Sequence, residues 1–222
     1  MRHLFWKIRH SIKRFIKLYV IRDELFIART NFKLDNKEQK LRTTYPLTPD
    51  SVVFDVGAYT GEWADEIIAL YNPYLYAFEP VPAFYEQLRK KYKDNPKVRV
   101  FPYGLDGENT ELEITIDDIS SSVYRGNGEK VRVPVRRADE VITELGVTEI
   151  SLFKINNEGG EYGALRRMLS ADQVKMCEFF HIQFHVFFPN SRSLREQIKA
   201  GLRQTHECVY DYPFFFENWK RK

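Results

Sequence analysis

The feature that most constrains this chain is a run from Val52 to Pro80: an apolar segment, a glycine turn, a helix-forming segment and a second apolar segment that ends on an acid. It reads Val52-Val53-Phe54-Asp55-Val56-Gly57-Ala58-Tyr59-Thr60-Gly61 and then Tyr76-Ala77-Phe78-Glu79-Pro80. Two short apolar runs joined by a helix predict parallel strands, and in sheets of that kind ligands sit outside the carboxyl ends of the strands. Gly57 lets the backbone turn off the strand end. Gly61 is expected to let the helix begin close to a ligand, where free N–H groups favour a carboxylate or phosphate.

The chemistry of the turn narrows the ligand. Glu79, at the tip of the neighbouring strand, can accept hydrogen bonds from both hydroxyls of a ribose. The spacing Asp-x-Gly-x-x-x-Gly matches the dinucleotide fingerprint poorly, and Asp55 would repel a pyrophosphate while suiting a ligand with an ammonium group. The expected cofactor is therefore S-adenosyl-L-methionine, held by Asp55, Gly57, Ala58, Tyr59, Gly61, Glu79, Pro80, Leu105 and Asn156. Asp55 either meets the ammonium or orders the turn. The competing readings are a nicotinamide-dependent oxidoreductase and a module that binds cofactor without turnover.

Strand-like and helix-like segments alternate along the rest of the chain, which predicts an α/β fold with a Rossmann-like, doubly wound, mostly parallel sheet. Strands are expected at Val52–Val56, Leu75–Phe78, Val98–Phe101, Ile150–Ile155 and Glu178–Phe184. Helices are expected at Glu62–Tyr71, Ala83–Tyr92, Asp139–Leu145, Glu161–Leu169 and Ser193–Thr205. Thr110–Ile116 and Lys130–Val135 alternate around a Ser-rich and Gly-rich stretch and read as an inserted β-hairpin with its tip near the pocket. Cys208–Tyr212 is expected to run antiparallel at the sheet edge, with most of the aromatic residues from Tyr210 to Trp219 as edge and core packing.

A chain of 222 residues, 43% hydrophobic and 15% aromatic, is large enough for one such domain without disulfides or metals. Cys177 and Cys208 form no framework, which suits a reducing, cytoplasmic compartment. A net charge of +3 does not argue for nucleic acid. The first 22 residues differ: Arg2, Lys7, Arg9, Lys13, Arg14, Lys17 and Arg22 occur with no acid, and Phe5, Ile8, Ile12, Phe15, Ile16 and Tyr19 recur at helical spacing. This predicts a basic amphipathic N-terminal helix that packs on the domain or on a second subunit, or lies peripherally on an anionic membrane. Residues 1–48 are read as helix and linker, and 49–222 as the catalytic domain.

Three blocks resemble the FkbM family of S-adenosylmethionine-dependent methyltransferases: Phe54 to Gly61, Phe78-Glu79-Pro80-Val81-Pro82-Ala83-Phe84, and Lys154-Ile155-Asn156-Asn157-Glu158-Gly159-Gly160-Glu161. The resemblance implies a class I methyltransferase fold and methyl transfer to the hydroxyl of a glycan or other small molecule. The family usually carries Asn at the position of Tyr59 and Asp at that of Asn156. The second departure removes a charge beside the reacting centre, and no metal is expected there.

Transfer to a sugar hydroxyl calls for a general base, because an un-ionised alcohol attacks poorly. Candidates are Glu158, Glu161 and His185, with His185 and Glu158 as catalytic residues and Glu158 and Glu161 as acceptor contacts. His185 is expected to end a strand beside Phe184 and Phe187, which would dry it and keep its imidazole neutral. A structural histidine bonded to backbone is the alternative. His181, on the same strand face, is expected to be buried.

Overall fold

The structure, a computed structural model, describes residues 17, 20–35, 40–117, 120–122 and 129–222, with no side chains described from 115 to 129. The basic helix expected at the N-terminus therefore lies almost wholly outside the described residues. So does the hairpin tip at 123–128.

After helix α1 (Glu24–Asp35) the chain forms β1 (Val52–Val56), α2 (Glu62–Tyr71), β2 (Tyr74–Phe78), α3 (Pro82–Lys91) and β3 (Val98–Phe101). Four strands follow: β4 (Gly104–Asp106), β5 (Thr110–Asp117), β6 (Ser120–Ser122) and β7 (Glu129–Arg137). The rest comprises α4 (Ala138–Glu144), β8 (Ile150–Ile155), α5 (Gly160–Ser170), β9 (Cys177–Ile182), α6 (Ser191–Leu202), β10 (His206–Tyr212) and β11 (Phe216–Arg221).

Seven strands make the main sheet in the order β10-β11-β9-β8-β1-β2-β3. The five from β9 to β3 are parallel, and β11 and β10 close the other edge antiparallel. The chain winds outward from β1 through β2 to β3, then resumes on the far side of β1 with β8. The winding direction thus switches between β1 and β8, which is where a sheet of this type opens a ligand crevice.

Side chains alternate between two cores, as period-two strands buried on both faces require. Phe54, Phe153, Phe180 and Trp219 pack on one face under α5 and α6, and Val53, Leu75, Leu152 and Phe179 on the other with Trp63 and Ile67 of α2. A second sheet, β4-β7-β5-β6, stands beside the first, with β5 and β7 paired antiparallel from Thr110 opposite Val135 to Ile116 opposite Glu129.

Two expectations need correction. β9 stops at Ile182, so Phe184 and His185 lie in the loop beyond it. The aromatic C-terminal stretch is itself a strand: β11 sits between β9 and β10, with Asn218 opposite His181 and Trp219 opposite Phe180. After turning back at Pro213, the chain inserts between those two strands and buries Trp219 completely.

Candidate active site

Gly57 takes a left-handed turn (φ +77°), and a Cβ there would stand 2.0 Å from the Asn156 carbonyl oxygen. Only glycine lets the ends of β1 and β8 approach this closely. The Gly57 and Ala58 N–H groups both donate to the Phe78 carbonyl, at 3.0 and 3.2 Å. From below, the Lys154 ammonium donates to the Gly57 carbonyl at 2.8 Å and to Asp55 Oδ1 at 2.6 Å. Asp55 is fully buried, and although burial pushes its carboxyl up, Lys154 pulls it back.

Of the two roles considered for Asp55, the geometry therefore places it under the turn, not in the crevice. Gly61 also departs from expectation. Its missing side chain makes room for Tyr92 Oη and Leu88, 2.5 and 2.8 Å from where a Cβ would lie, so its closeness is to α3 and its flank. Ala58 packs into the core with Trp63 and Ala64. Neither Gly61 nor Ala58 lines the crevice.

Glu79 does line it. Its Oε2 accepts the Tyr59 N–H at 2.7 Å and its Oε1 the Val81 N–H at 2.9 Å, which fixes the carboxylate while leaving each oxygen a further lone pair. Burial pushes its pKa up to about 7, against the pull of those two N–H groups. Tyr59 holds a left-handed conformation (φ 52°) that bulky residues avoid and asparagine tolerates, and its ring packs edge-on against Phe84 at 4.4 Å.

The loop after β8 carries the remaining polar groups. Asn156 and Asn157 line the crevice, and both Oδ1 atoms are buried without a partner among the described residues. Asn157 Nδ2 donates to the Leu105 carbonyl at 2.7 Å, which leaves its Oδ1 as a free acceptor. Glu158, left-handed at φ 54°, lines the crevice with a partly exposed carboxylate.

Glu161 does not reach an acceptor. It is fully buried, with Oε2 taking the Gly159 N–H at 2.8 Å and Oε1 taking the His185 N–H at 2.9 Å and facing His185 Nδ1 at 3.0 Å. His185 therefore lies between two acids, its Nε2 3.4 Å from Glu158 Oε1. Burial alone would lower its pKa, but the charge of Glu161 and the contacts with Glu158 and Glu161 outweigh it and hold the imidazole at about 10. The ring expected to stay neutral is flanked by two carboxylates, whose charge favours its protonated form. The dry surroundings were foreseen, but the two carboxylates that supply its counter-charge meet it only through the fold.

These groups surround a cavity of about 380 Å³, in the range of small-molecule sites. One wall is Gly57, Tyr59, Glu79 and Pro80. The floor is Leu105, Asp106 and the β8 loop. The opposite wall, Leu112, Ile114, Val133 and Val135, is the inward face of β5 and β7. Burial lifts the Asp106 carboxyl to about 6, with the Gly107 N–H opposing and the Glu161 charge adding to the rise. That apolar wall was readable as strand alternation but had not been assigned to the site. The Tyr210 to Trp219 rings do not line the cavity.

A nucleoside with an amino acid tail suits this lining: the Glu79 carboxylate for hydroxyls, Leu105 for a base, and unpartnered amide oxygens for an ammonium. A cavity at the switch point of a mostly parallel sheet is the architecture of a class I methyltransferase, and this lining fits S-adenosylmethionine.

The sequence pattern of the methyltransferase FkbM domain matches residues 55–212, and the chain belongs to that family. Its fold is similar to that of the methyltransferase FkbM from Methylobacillus flagellatus KT, at 15% identity and a TM-score of 0.54, over 79% of this chain and 44% of that one. This chain thus spans under half the length of that relative. A candidate rRNA methylase from Clostridium thermocellum has a similar fold at 8% identity and a TM-score of 0.51, covering 85% and 94% of the two chains. No curated protein matches the sequence.

Proposed function

We propose that this chain transfers the methyl group of S-adenosylmethionine to a hydroxyl oxygen of a sugar, glycan or related small molecule, with Glu158 as the general base. The observation that carries this reading is the position of Glu158: a carboxylate on the cavity lining, in a left-handed loop, braced at 3.4 Å by His185. When bound, the cofactor supplies a methyl carbon on a positively charged sulfur. Glu79 grips the ribose, Asn156 and Asn157 offer acceptors to the ammonium, and Leu105 with Asp106 borders the base.

Glu158 would take the proton of the acceptor hydroxyl, whose oxygen would receive the methyl group that bound S-adenosylmethionine would supply. His185 aims Glu158, and Glu161 aims His185. The left-handed backbone at Glu158 is the kind of local strain that persists where a site over-determines it.

The test is turnover of a panel of free sugars and oligosaccharides by the wild-type chain and by Glu158→Gln. Removing a general base costs about 10²- to 10⁴-fold in kcat, and the affinity for S-adenosylhomocysteine should stay within a factor of about two, since the variant keeps the loop. Full activity in Glu158→Gln removes it as the base. Transfer to RNA with none to any sugar or other hydroxylated small molecule overturns the acceptor class.

A further inference from the structure

The cavity has one more border. Phe188, from the loop between β9 and α6, lines it together with Glu158. Two aromatic rings face the cavity among the described residues, and strand order keeps them apart. Tyr59 follows β1, and its N–H meets Glu79; Phe188 follows β9, on the far side of β8. From the end of β2, which carries Glu79, to the end of β9 is three strand spacings, about 14 Å. Glu158 follows β8, between the two. A ribose held at Glu79 therefore lies on one side of Glu158, and Phe188 borders the other.

The ring is held before any guest arrives. It stacks on Tyr162, with centroids 4.8 Å apart and planes 28° from parallel. Tyr162 is buried, its Oη donates to the His185 carbonyl at 2.9 Å, and its ring also packs against Phe184 at 5.2 Å. The loop is tied at three further points. The Phe188 N–H donates to the His185 carbonyl at 3.4 Å, the Ser191 N–H to the Phe188 carbonyl at 3.1 Å, and Ser191 Oγ to the Val186 carbonyl at 2.9 Å. His185, whose carbonyl receives two of these bonds, is also the residue that meets Glu158. One loop thus sets both the ring and the carboxylate.

Core packing accounts for the contact with Tyr162. It leaves the rest of this partly buried ring bordering the cavity. A sugar ring carries hydroxyls at its rim and a patch of C–H groups on its face, and a fixed aromatic ring covers that patch while leaving the hydroxyls free.

We propose that Phe188 is the platform for the acceptor: it stacks on the C–H face of a pyranose and so presents one of its hydroxyls to Glu158. This deepens the proposed function and rests on it. The class selected is a cyclic sugar or its glycoside, in preference to an open-chain polyol, which has the hydroxyls without a rigid face.

Steady-state methyl transfer by the full chain at saturating S-adenosylmethionine tests this, with glucose, galactose, mannose and their methyl glycosides set against sorbitol and glycerol. Wild type should turn over at least one pyranose with kcat/KM about tenfold above the polyols, and Phe188→Ala should raise KM for that pyranose about tenfold. In the same variant kcat and the affinity for S-adenosylhomocysteine should stay within a factor of about two, because the donor's contacts and Glu158 are untouched. Phe188→Tyr keeps the flat ring and should stay within about threefold of wild type, whereas Phe188→Leu, apolar but not flat, should remain at least about fivefold weaker in KM. Leucine carries the comparison where alanine does not fold.

An unchanged KM in Phe188→Ala, full recovery by leucine, or a loss of S-adenosylhomocysteine affinity as large as the rise in KM overturns the inference and leaves the methyl transfer standing. A wild-type chain that methylates no sugar sinks the proposed acceptor class and this inference with it.

Discussion

At the scale of single residues, the site depends on where protons sit. Glu79 has a folded pKa of about 7, raised by burial. A raised acid works against folding when ionised, so its unfavourable contribution is largest above pH 7 and disappears below its unfolded value near 4.5. Ribose hydroxyls bind the ionised form. Affinity for S-adenosylhomocysteine should therefore fall as pH drops below about 7, which calorimetry across pH 5.5 to 8.5 would reveal. Glu79→Ala should weaken binding by about 1 to 3 kcal/mol and flatten that dependence. Unchanged affinity would remove Glu79 as the ribose contact.

His185 behaves in the opposite sense. Its folded pKa of about 10 lies above the unfolded value, so its stabilisation is complete below about pH 6.5 and is lost as pH rises through 10. His185→Asn should show a lower Tm at pH 7 and a smaller further fall between pH 8 and 10. A variant whose melting curve tracks wild type across that range would show that the two acids do not hold a charge there. The presence of His185, Glu158 and Glu161 was legible in the sequence, but their pairing was not, because 24 residues separate Glu161 from His185.

At the scale of elements, local pattern carried most of the fold. α2, β3 and β8 fall where apolar periodicity and the flanking prolines and glycines put them, since each is decided by its own residues. β11 was missed because Phe216-Glu217-Asn218-Trp219 alternates weakly and its strand state is imposed by β9 and β10 on either side. Glu217 is buried in that strand and finds its counter-charge in Arg195 Nε, 2.6 Å away on α6. Trp219→Ala should cost about 3 to 5 kcal/mol in chemical denaturation, as for other fully buried tryptophans. A loss under 1 kcal/mol would mean that this strand does not anchor the edge.

The turn itself is the second case. Gly57→Ala would place a methyl group 2.0 Å from the Asn156 oxygen and force a left-handed residue. Cofactor binding should drop below detection by calorimetry even where circular dichroism shows the sheet intact. The sequence marked Gly57 as a turn residue, but its closest neighbour, Asn156, comes from the loop after β8.

At the scale of the whole molecule, the stretch matched by the family does not coincide with the packed unit. Residues 55–212 end before β11, which lies between two strands of that stretch, and begin after the segment 41–47, which covers the sheet with Tyr45 and Leu47 packed into the core. α1 adds to this cover, with Phe32 packed against Tyr212, Phe215 and Phe216. A fragment of residues 55–212 should show no cooperative thermal transition, whereas 20–222 should melt as the full chain does. Cooperative melting of the shorter fragment would show that the edge strand and the N-terminal cover are dispensable. No helix among the described residues is long and apolar enough to cross a membrane.

The two-sheet construction of the cavity divides labour. Under the proposed function, the grip on the donor is set at the ends of β1, β2 and β8, where an added methyl at Gly57 would break the turn. The facing panel, Leu112, Ile114, Val133 and Val135, belongs to a separate sheet, and these four side chains are all apolar. Under the same proposal, residues there can be exchanged and a different guest admitted while the donor's seat stays as it is.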